Sequence, residues 1–332
     1  MDTLFLITIL IVIFALAFDF INGFHDTANA IATAVSTKAL TPRRAIILAA
    51  FMNFLGAMTF TGVAKTITKD IVDPFMLENG LVVILAALTA AIFWNLLTWY
   101  YGIPSSSSHA LIGSVAGAAI AAAGFQALNY GGFFKILQAL IISPLLAFAI
   151  GFIVYSIFKV VFKNNNLAKT NRNFRLIQIA TAALQSYTHG TNDAQKAMGI
   201  ITMALIAGNY QQSTDIQLWV QVSCALAMGL GTSVGGWKII KTVGGKIMKI
   251  RPVNGVAADL SSAMIIFGAT LIHLPVSTTH VISSSILGVG TAHRVKGVKW
   301  DTAQRMLITW VITLPITATI AAISYYILNI FL

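Results

Sequence analysis

Charge is what this 332-residue sequence lacks most. Only 9% of its residues are Asp, Glu, Lys or Arg, where a soluble domain carries roughly 25%. So few charges cannot cover a water-facing surface, which excludes a cytosolic enzyme. Acids are scarcer still, 10 against 21 Lys and Arg, for a formal net charge of +11. That excess does not point to a nucleic-acid partner, because cytoplasmic loops of membrane proteins collect Lys and Arg. A single cysteine, Cys224, excludes an intramolecular disulfide and a CxxC metal site. Within its apolar run it reads as a small buried hydrophobe. No Walker A pattern is present, so the chain does not itself use ATP. No basic segment precedes the first apolar run, whose only early charge is Asp2; residues 4–22 are expected to span uncleaved.

What is present is apolar surface: 57% hydrophobic residues and a mean hydropathy of +0.83. The solvent of most of this chain is lipid, and a multi-pass protein of the cell membrane is expected. Several apolar runs approach the ~20 residues of a crossing helix. Others, such as 26–37, 176–189 and 194–207, are shorter and lie beside Gly, Asn or Asp. Short runs of this kind predict broken helices and re-entrant hairpins, tolerated only inside protein or along a polar cavity.

Three features occur twice in the same order. Gly23-Phe24-His25-Asp26-Thr27-Ala28-Asn29-Ala30 is matched by Gly190-Thr191-Asn192-Asp193-Ala194-Gln195-Lys196-Ala197. Asn79-Gly80 is matched by Asn254-Gly255. Pro104-Ser105-Ser106-Ser107-Ser108-His109 is matched by Pro275-Val276-Ser277-Thr278-Thr279-His280. Repeat 1 is read as 1–158, a basic cytoplasmic linker as 159–175, and repeat 2 as 176–332. Lys and Arg concentrate in the first loop, in the linker, in 238–251 and in the last loop, so these regions face the cytoplasm. Loop 208–216 has neither residue, and loop 65–78 mixes Lys65 and Lys69 with Asp70, Asp73 and Glu78; both belong outside. Equivalent loops thus fall on opposite faces. The expected fold is an all-α polytopic membrane protein of two inverted-topology repeats, with both termini extracellular. Trp94, Trp99, Trp219, Trp237 and Trp300 lie near run ends, as an aromatic belt requires.

The repeated residues suggest chemistry at the midplane, where inverted-repeat transporters hold substrate. Pro104 and Pro275 suit a helix start. The hydroxyls of Ser106, Ser107, Ser277 and Thr278 then cluster at two helix N-termini, whose dipoles and free N–H groups attract an anion. Ordinary Ser/Thr packing between membrane helices would account for one such cluster better than for two symmetric ones. Asp26 and Asp193 occupy equivalent places, with Asn29 and Asn192 nearby. A carboxylate at membrane depth costs roughly 2.5–3.5 kcal/mol and marks function by default. Carboxylate and amide oxygens suit Na⁺, and a carboxylate can also carry a proton. Asp19 has no counterpart in repeat 2 and reads as local support. No cofactor beyond a coupling cation, H⁺ or Na⁺, is expected.

The Gly-Phe-His-Asp-Thr-Ala-Asn-Ala segment, its partner His189-Gly190-Thr191-Asn192-Asp193 and the paired Pro-x-Ser hairpins resemble the inorganic phosphate transporter (PiT) family. Among its members the motifs are closest to the bacterial low-affinity Pit-type permeases. The resemblance covers nearly the whole chain. It implies phosphate symport, with phosphate bound at Ser106, Ser107, Ser277, Thr278, Asn29 and Asn192. It also implies cation coupling through Asp26, Asp193, His25 and Asp259. Asp259 stands where the family often has Glu. Phe24-His25 replaces the Ala-Asn of members with clear Na⁺ coupling and resembles the bacterial branch associated with proton-coupled uptake. That branch takes phosphate alone or as a neutral metal–phosphate complex, and histidine's pKa suits a proton-linked role. Protons are therefore favoured over sodium. A sulfate permease of the same family, an anion channel and an intramembrane hydrolase are the alternatives. The partners expected are phosphate and membrane lipid, with no nucleic acid; a homodimer is compatible with the sequence.

The charge bias makes a topological prediction. In a Cys224→Ser background, an impermeant thiol reagent added to intact cells labels Lys69→Cys and Asn209→Cys and spares Lys169→Cys and Lys246→Cys. Equal labelling of positions 209 and 246 refutes the inversion.

Overall fold

The computed structural model describes residues 3–73, 75 and 79–332, without the side chains of 3, 27–29, 167, 237 and 238. Asp2, Glu78 and the side chains of Asn29, Trp237 and Lys238 lie outside the described residues. The described residues form α-helices joined by short loops. The first half of the chain supplies α1 (Thr3–Ser36), α2 (Pro42–Ala57), α3 (Gly62–Asp70), α4 (Gly80–Tyr101), α5 (Ser107–Ala123) and α6 (Tyr130–Val161). The second half supplies α7 (Leu167–Ala207), α8 (Leu218–Val234), α9 (Trp237–Gly245), α10 (Pro252–Leu271), α11 (Thr278–Arg294) and α12 (Trp300–Phe331). The two halves match element for element. A short 3-10 turn precedes the last helix of each, and each last helix carries one internal proline, Pro144 or Pro315. Among the described residues, five helices are long and apolar enough to cross a membrane, or up to seven if each bent pair is one span.

The expected interruptions lie elsewhere. α1 runs unbroken through Asp26, and α7 through Asp193. The bends fall instead between α2 and α3, at 69°, and between α8 and α9, at 75°. Gly23 and Gly190, which suggested breaks, serve close helix approach. A Cβ on Gly23 would collide with Met228 O of α8, and one on Gly190 with Asn53 O of α2. The reverse contacts complete both pairs, because Gly231 of α8 meets Phe20 O and Gly56 of α2 meets Tyr187 O. Small residues let membrane helices pack by backbone contact, where lipid offers no hydrophobic drive for association. The break in repeat 2 has its own cause: Gly235 ends α8 at φ +74°, a conformation glycine adopts without penalty.

Packing across the repeats is reciprocal. α5 lies along α12 and α11 along α6, just as α1 lies along α8 and α7 along α2. The basic linker is largely helical, since only residues 162–166 separate α6 from α7. Asn166 caps α7 by accepting from the N–H groups of Ala168 and Lys169. Loops 65–78 and 208–216, assigned to one face by their charge, are in contact through Lys65 Nζ and Asp215 Oδ1 at 2.6 Å. The ammonium holds the exposed Asp215 carboxyl below its usual range.

Large apolar side chains cover the outside, while charged and polar ones are buried beside an apolar core. Ile141, Leu145 and Phe152 of α6 and Leu307, Val311 and Ile323 of α12 are exposed. Asp19, Asn22, His25, Asp26, His189, Asp193 and Lys196 are buried. A lipid-embedded protein requires this arrangement, because polar groups find partners only within it.

The glycine contacts predict a stability split. Gly231→Val or Gly190→Val should lower stability by about 1–3 kcal/mol or more through overpacking. Gly268→Ala in α10, where an added Cβ meets nothing within 4 Å, should raise it by about 0.5–1 kcal/mol. Thermal unfolding of the detergent-purified variants reads both. Equal melting temperatures for all three variants contradict the backbone-contact reading.

Candidate anion and cation site

The hairpin starts are built by capping. After Pro104, Ser106 turns its Oγ back to accept from the N–H of His109 at 3.1 Å. Ser277 does the same for His280 at 3.2 Å. Each serine satisfies one of the donors that every helix start leaves without an intrahelical partner. The two starts meet: Ser108 Oγ donates to Val276 O at 2.8 Å. The His109 and His280 rings lie 4.4 Å apart, and His280 stacks on Trp310 at 4.0 Å. Trp310 Nε1 in turn donates to Pro104 O at 3.3 Å. The positive ends of α5 and α11 are thus neighbours in the interior, and Ser106, Ser107, Ser277 and Thr278 are all buried.

The carboxylates sit against these starts. Ser107 Oγ donates to Asp26 Oδ2 at 2.7 Å, and Thr278 Oγ1 donates to Asp193 Oδ2 at 3.0 Å. Each hairpin therefore holds the carboxylate of its own repeat. Thr279 Oγ1 adds a bond between repeats, donating to Asp26 Oδ1 at 3.0 Å.

The basic neighbours differ between the halves. His25 Nδ1 lies 2.7 Å from Asp26 Oδ1, and its Nε2 lies 3.2 Å from Thr98 Oγ1. In repeat 2 the neighbour is Lys196, whose Nζ lies 2.5 Å from Asp193 Oδ1 with both side chains fully buried. Asn192, the counterpart of His25, holds the approach to the second hairpin. It donates to Thr270 Oγ1 at 3.1 Å and to Leu274 O at 3.2 Å, and accepts from Val276 N at 3.2 Å.

One ligand atom each from Asp26, His189 and Asp193 lie within 4.8 Å of one another. The Asn53 amide donates to Thr232 Oγ1 at 3.0 Å and presents its oxygen to His189 Nδ1, also at 3.0 Å. That places the ring proton on Nδ1. The lone pair of Nε2 then faces Asp193 Oδ2 at 3.3 Å. Three acceptors converging in a buried space repel each other unless a proton or a cation stands among them. The donor set thus fits a cation, with Asp26 and Asp193 supplying the negative charge. Asn22 and Asp19, one and two turns earlier on α1, are fully buried and have no hydrogen-bond partner on any side-chain polar atom among the described residues.

Asp259 belongs elsewhere. Its oxygens accept from Thr33 Oγ1 at 2.7 Å and Thr181 Oγ1 at 3.0 Å. Thr33 is seven residues along α1 from Asp26, a rise of about 10 Å. Among the expected residues, then, the structure brings together Ser106, Ser107, Ser277, Thr278, Asp26, Asp193 and His25. It sets Asp259 apart and gives Asn192 a positioning contact. His189, Asn53 and Thr279 had no role assigned from sequence. The spacing of four residues from His189 to Asp193, which puts both on one helix face, was the available signal. So was an asparagine inside an apolar run.

Known proteins share this architecture. A family model described as the phosphate transporter family matches residues 22–321. A Bacillus subtilis (strain 168) protein described as a "probable low-affinity inorganic phosphate transporter" is 79% identical over 330 residues, covering 99% of both chains. A Rhizobium meliloti (strain 1021) protein of the same description is 44% identical over 314 residues, covering 94% of this chain and 93% of its own. A solved structure described as "the sodium-dependent phosphate transporter" superposes with a TM-score of 0.88 at 26% identity, covering 98% of this chain and 100% of that one. With its family motifs gathered at the meeting of two matched halves, this multi-pass membrane chain belongs to the phosphate transporter family.

Proposed function

We propose that the chain takes up inorganic phosphate across the cell membrane by cation symport, with protons favoured over sodium. The observation that carries this reading is the convergence of Asp26, His189 and Asp193 beside two hairpin starts. An anion held at the N-termini of α5 and α11 by Ser106, Ser107, Ser277 and Thr278 sits next to acids that are repelled by it until a cation arrives. Anion and cation therefore bind together, which is the requirement for coupled transport. Asn29 and Asn192 complete the anion site in this reading. Asp259 serves as a separate coupling acid.

Phosphate, rather than sulfate, accords with the family and with both curated relatives. The acids supply a physical reason, since a phosphate hydroxyl can donate to Asp26 or Asp193 and fully ionised sulfate cannot. The family's membership by transporters points away from an enzyme. The preference for protons rests on the nitrogen-rich surroundings of the acids. His25 lies on Asp26, and His189 and Lys196 lie on Asp193, whereas sodium is suited by oxygen. The repeats, 1–158 and 176–332, are inverted in this reading, with both termini outside. Their reciprocal packing then permits the buried site to open alternately to either face.

Two outcomes test the proposal. In proteoliposomes, phosphate accumulates under an inward pH gradient in nominally sodium-free buffer; accumulation that needs sodium overturns the proton preference. Asp26→Asn and Asp193→Asn each reduce concentrative uptake at least tenfold, since an amide keeps the size and loses the charge. Asp215→Asn, on the exposed loop, transports like the parent. Parental accumulation by both Asp26→Asn and Asp193→Asn removes these acids from the coupling machinery.

A further inference from the structure

The matched halves differ in charge next to the paired acids. Counting from Asp26 and Asp193, Asn29 of repeat 1 corresponds to Lys196 of repeat 2. The Lys196 side chain is completely buried, and its ammonium sits on Asp193 Oδ1. The other oxygen of that carboxylate is held by Thr278 and faced by His189. The Oδ1 side of Asp193 therefore offers no room for a mobile cation. An ammonium also carries three donors, and a single hydrogen bond, to Asp193, is found for this one among the described residues. Asp19, buried with both oxygens unpartnered among the described residues, lies within the electrostatic reach of both Lys196 and Asp193.

We propose that Lys196 is a tethered cation standing where a coupling cation would otherwise bind, so that the repeat-2 carboxylate is neutralised without an ion from solution. This rests on the cation-symport reading and deepens it. A charge fixed to the chain satisfies Asp193, but no gradient drives it. Beside the hairpin starts, the space among Asp26, His189 and Asp193 is what is left for a cation that moves. The transporter therefore carries one cation fewer per phosphate than a chain with a neutral ligand at position 196. Lys196 is in this sense a specificity-determining residue for the coupling ion. An uncharged residue with a ligand oxygen, such as the Asn found at the matching place in repeat 1, would open the Asp193 side to sodium.

Equilibrium binding of radioactive sodium to the detergent-purified protein tests this, with thermal unfolding as the check on folding. Lys196→Asn should bind one sodium more per chain than the parent, and its phosphate uptake in liposomes should become sodium-stimulated several-fold. Adding Asp193→Asn to that variant should remove the extra ion. Lys196→Met, which lacks both charge and ligand, should gain none. Equal sodium stoichiometry for the parent and a folded Lys196→Asn overturns the proposal. Should Lys196→Asn fail to fold, Lys196→Gln, longer and also carrying a ligand oxygen, takes its place: one sodium more than the parent is expected, and an equal number overturns the proposal. Because these readouts count bound sodium, they stand apart from gradient-driven uptake: failure of phosphate to accumulate under either a pH or a sodium gradient would instead sink the symport reading.

Discussion

Two carboxylates buried in the interior of the helical bundle impose the central constraint on this fold. Asp26 and Asp193 lie where water cannot reach them, and an ionised group there must be paired or hydrogen-bonded by the protein. Hydroxyls from the two hairpins, an imidazole and an ammonium meet that requirement. The hairpins can supply hydroxyls at that depth only because proline and a serine cap start α5 and α11 in the interior. The acids thus determine where those helices begin, and the helix starts make the place attractive to an anion.

Backbone contact holds this arrangement together. Glycines bring α1 against α8 and α7 against α2, each contact mirrored by its partner. The carboxylates ride on α1 and α7, so these four contacts set the spacing of the acids. Both motif helices are unbroken, and a continuous helix places its side chains more rigidly than an unwound one. The bends between α2 and α3 and between α8 and α9 lie outside the motif helices.

Much of this was legible in the sequence. The scarcity of charge gave lipid as the solvent, and the doubled motifs gave the matched halves and the hairpin starts. The continuity of α1 and α7 was not legible, because a glycine beside Asp or Asn reads the same whether it unwinds a helix or admits a neighbour's backbone. Only the position of Met228 and Asn53 distinguishes the two. The role of His189 was hidden for a related reason: its partner Asn53 is 136 residues away. Thr279 bonds to an acid 253 residues distant, and no local pattern encodes that contact. Asp259 looked equivalent to the other buried acids, but its hydroxyl partners, Thr33 of α1 and Thr181 of α7, lie about two turns from Asp26 and about three from Asp193.

The bond from Thr279 to Asp26 is where the two repeats become one site, so it carries the central claim. A double-mutant cycle of Thr279→Val and Asp26→Asn, read as phosphate affinity by calorimetry on the purified protein, measures it directly. A hydrogen bond to a charged group within one site predicts a coupling of about 1.5–3 kcal/mol between the two changes. Losses that add within about 0.3–0.5 kcal/mol would show that the hairpin of one repeat and the acid of the other act independently, and would contradict the account.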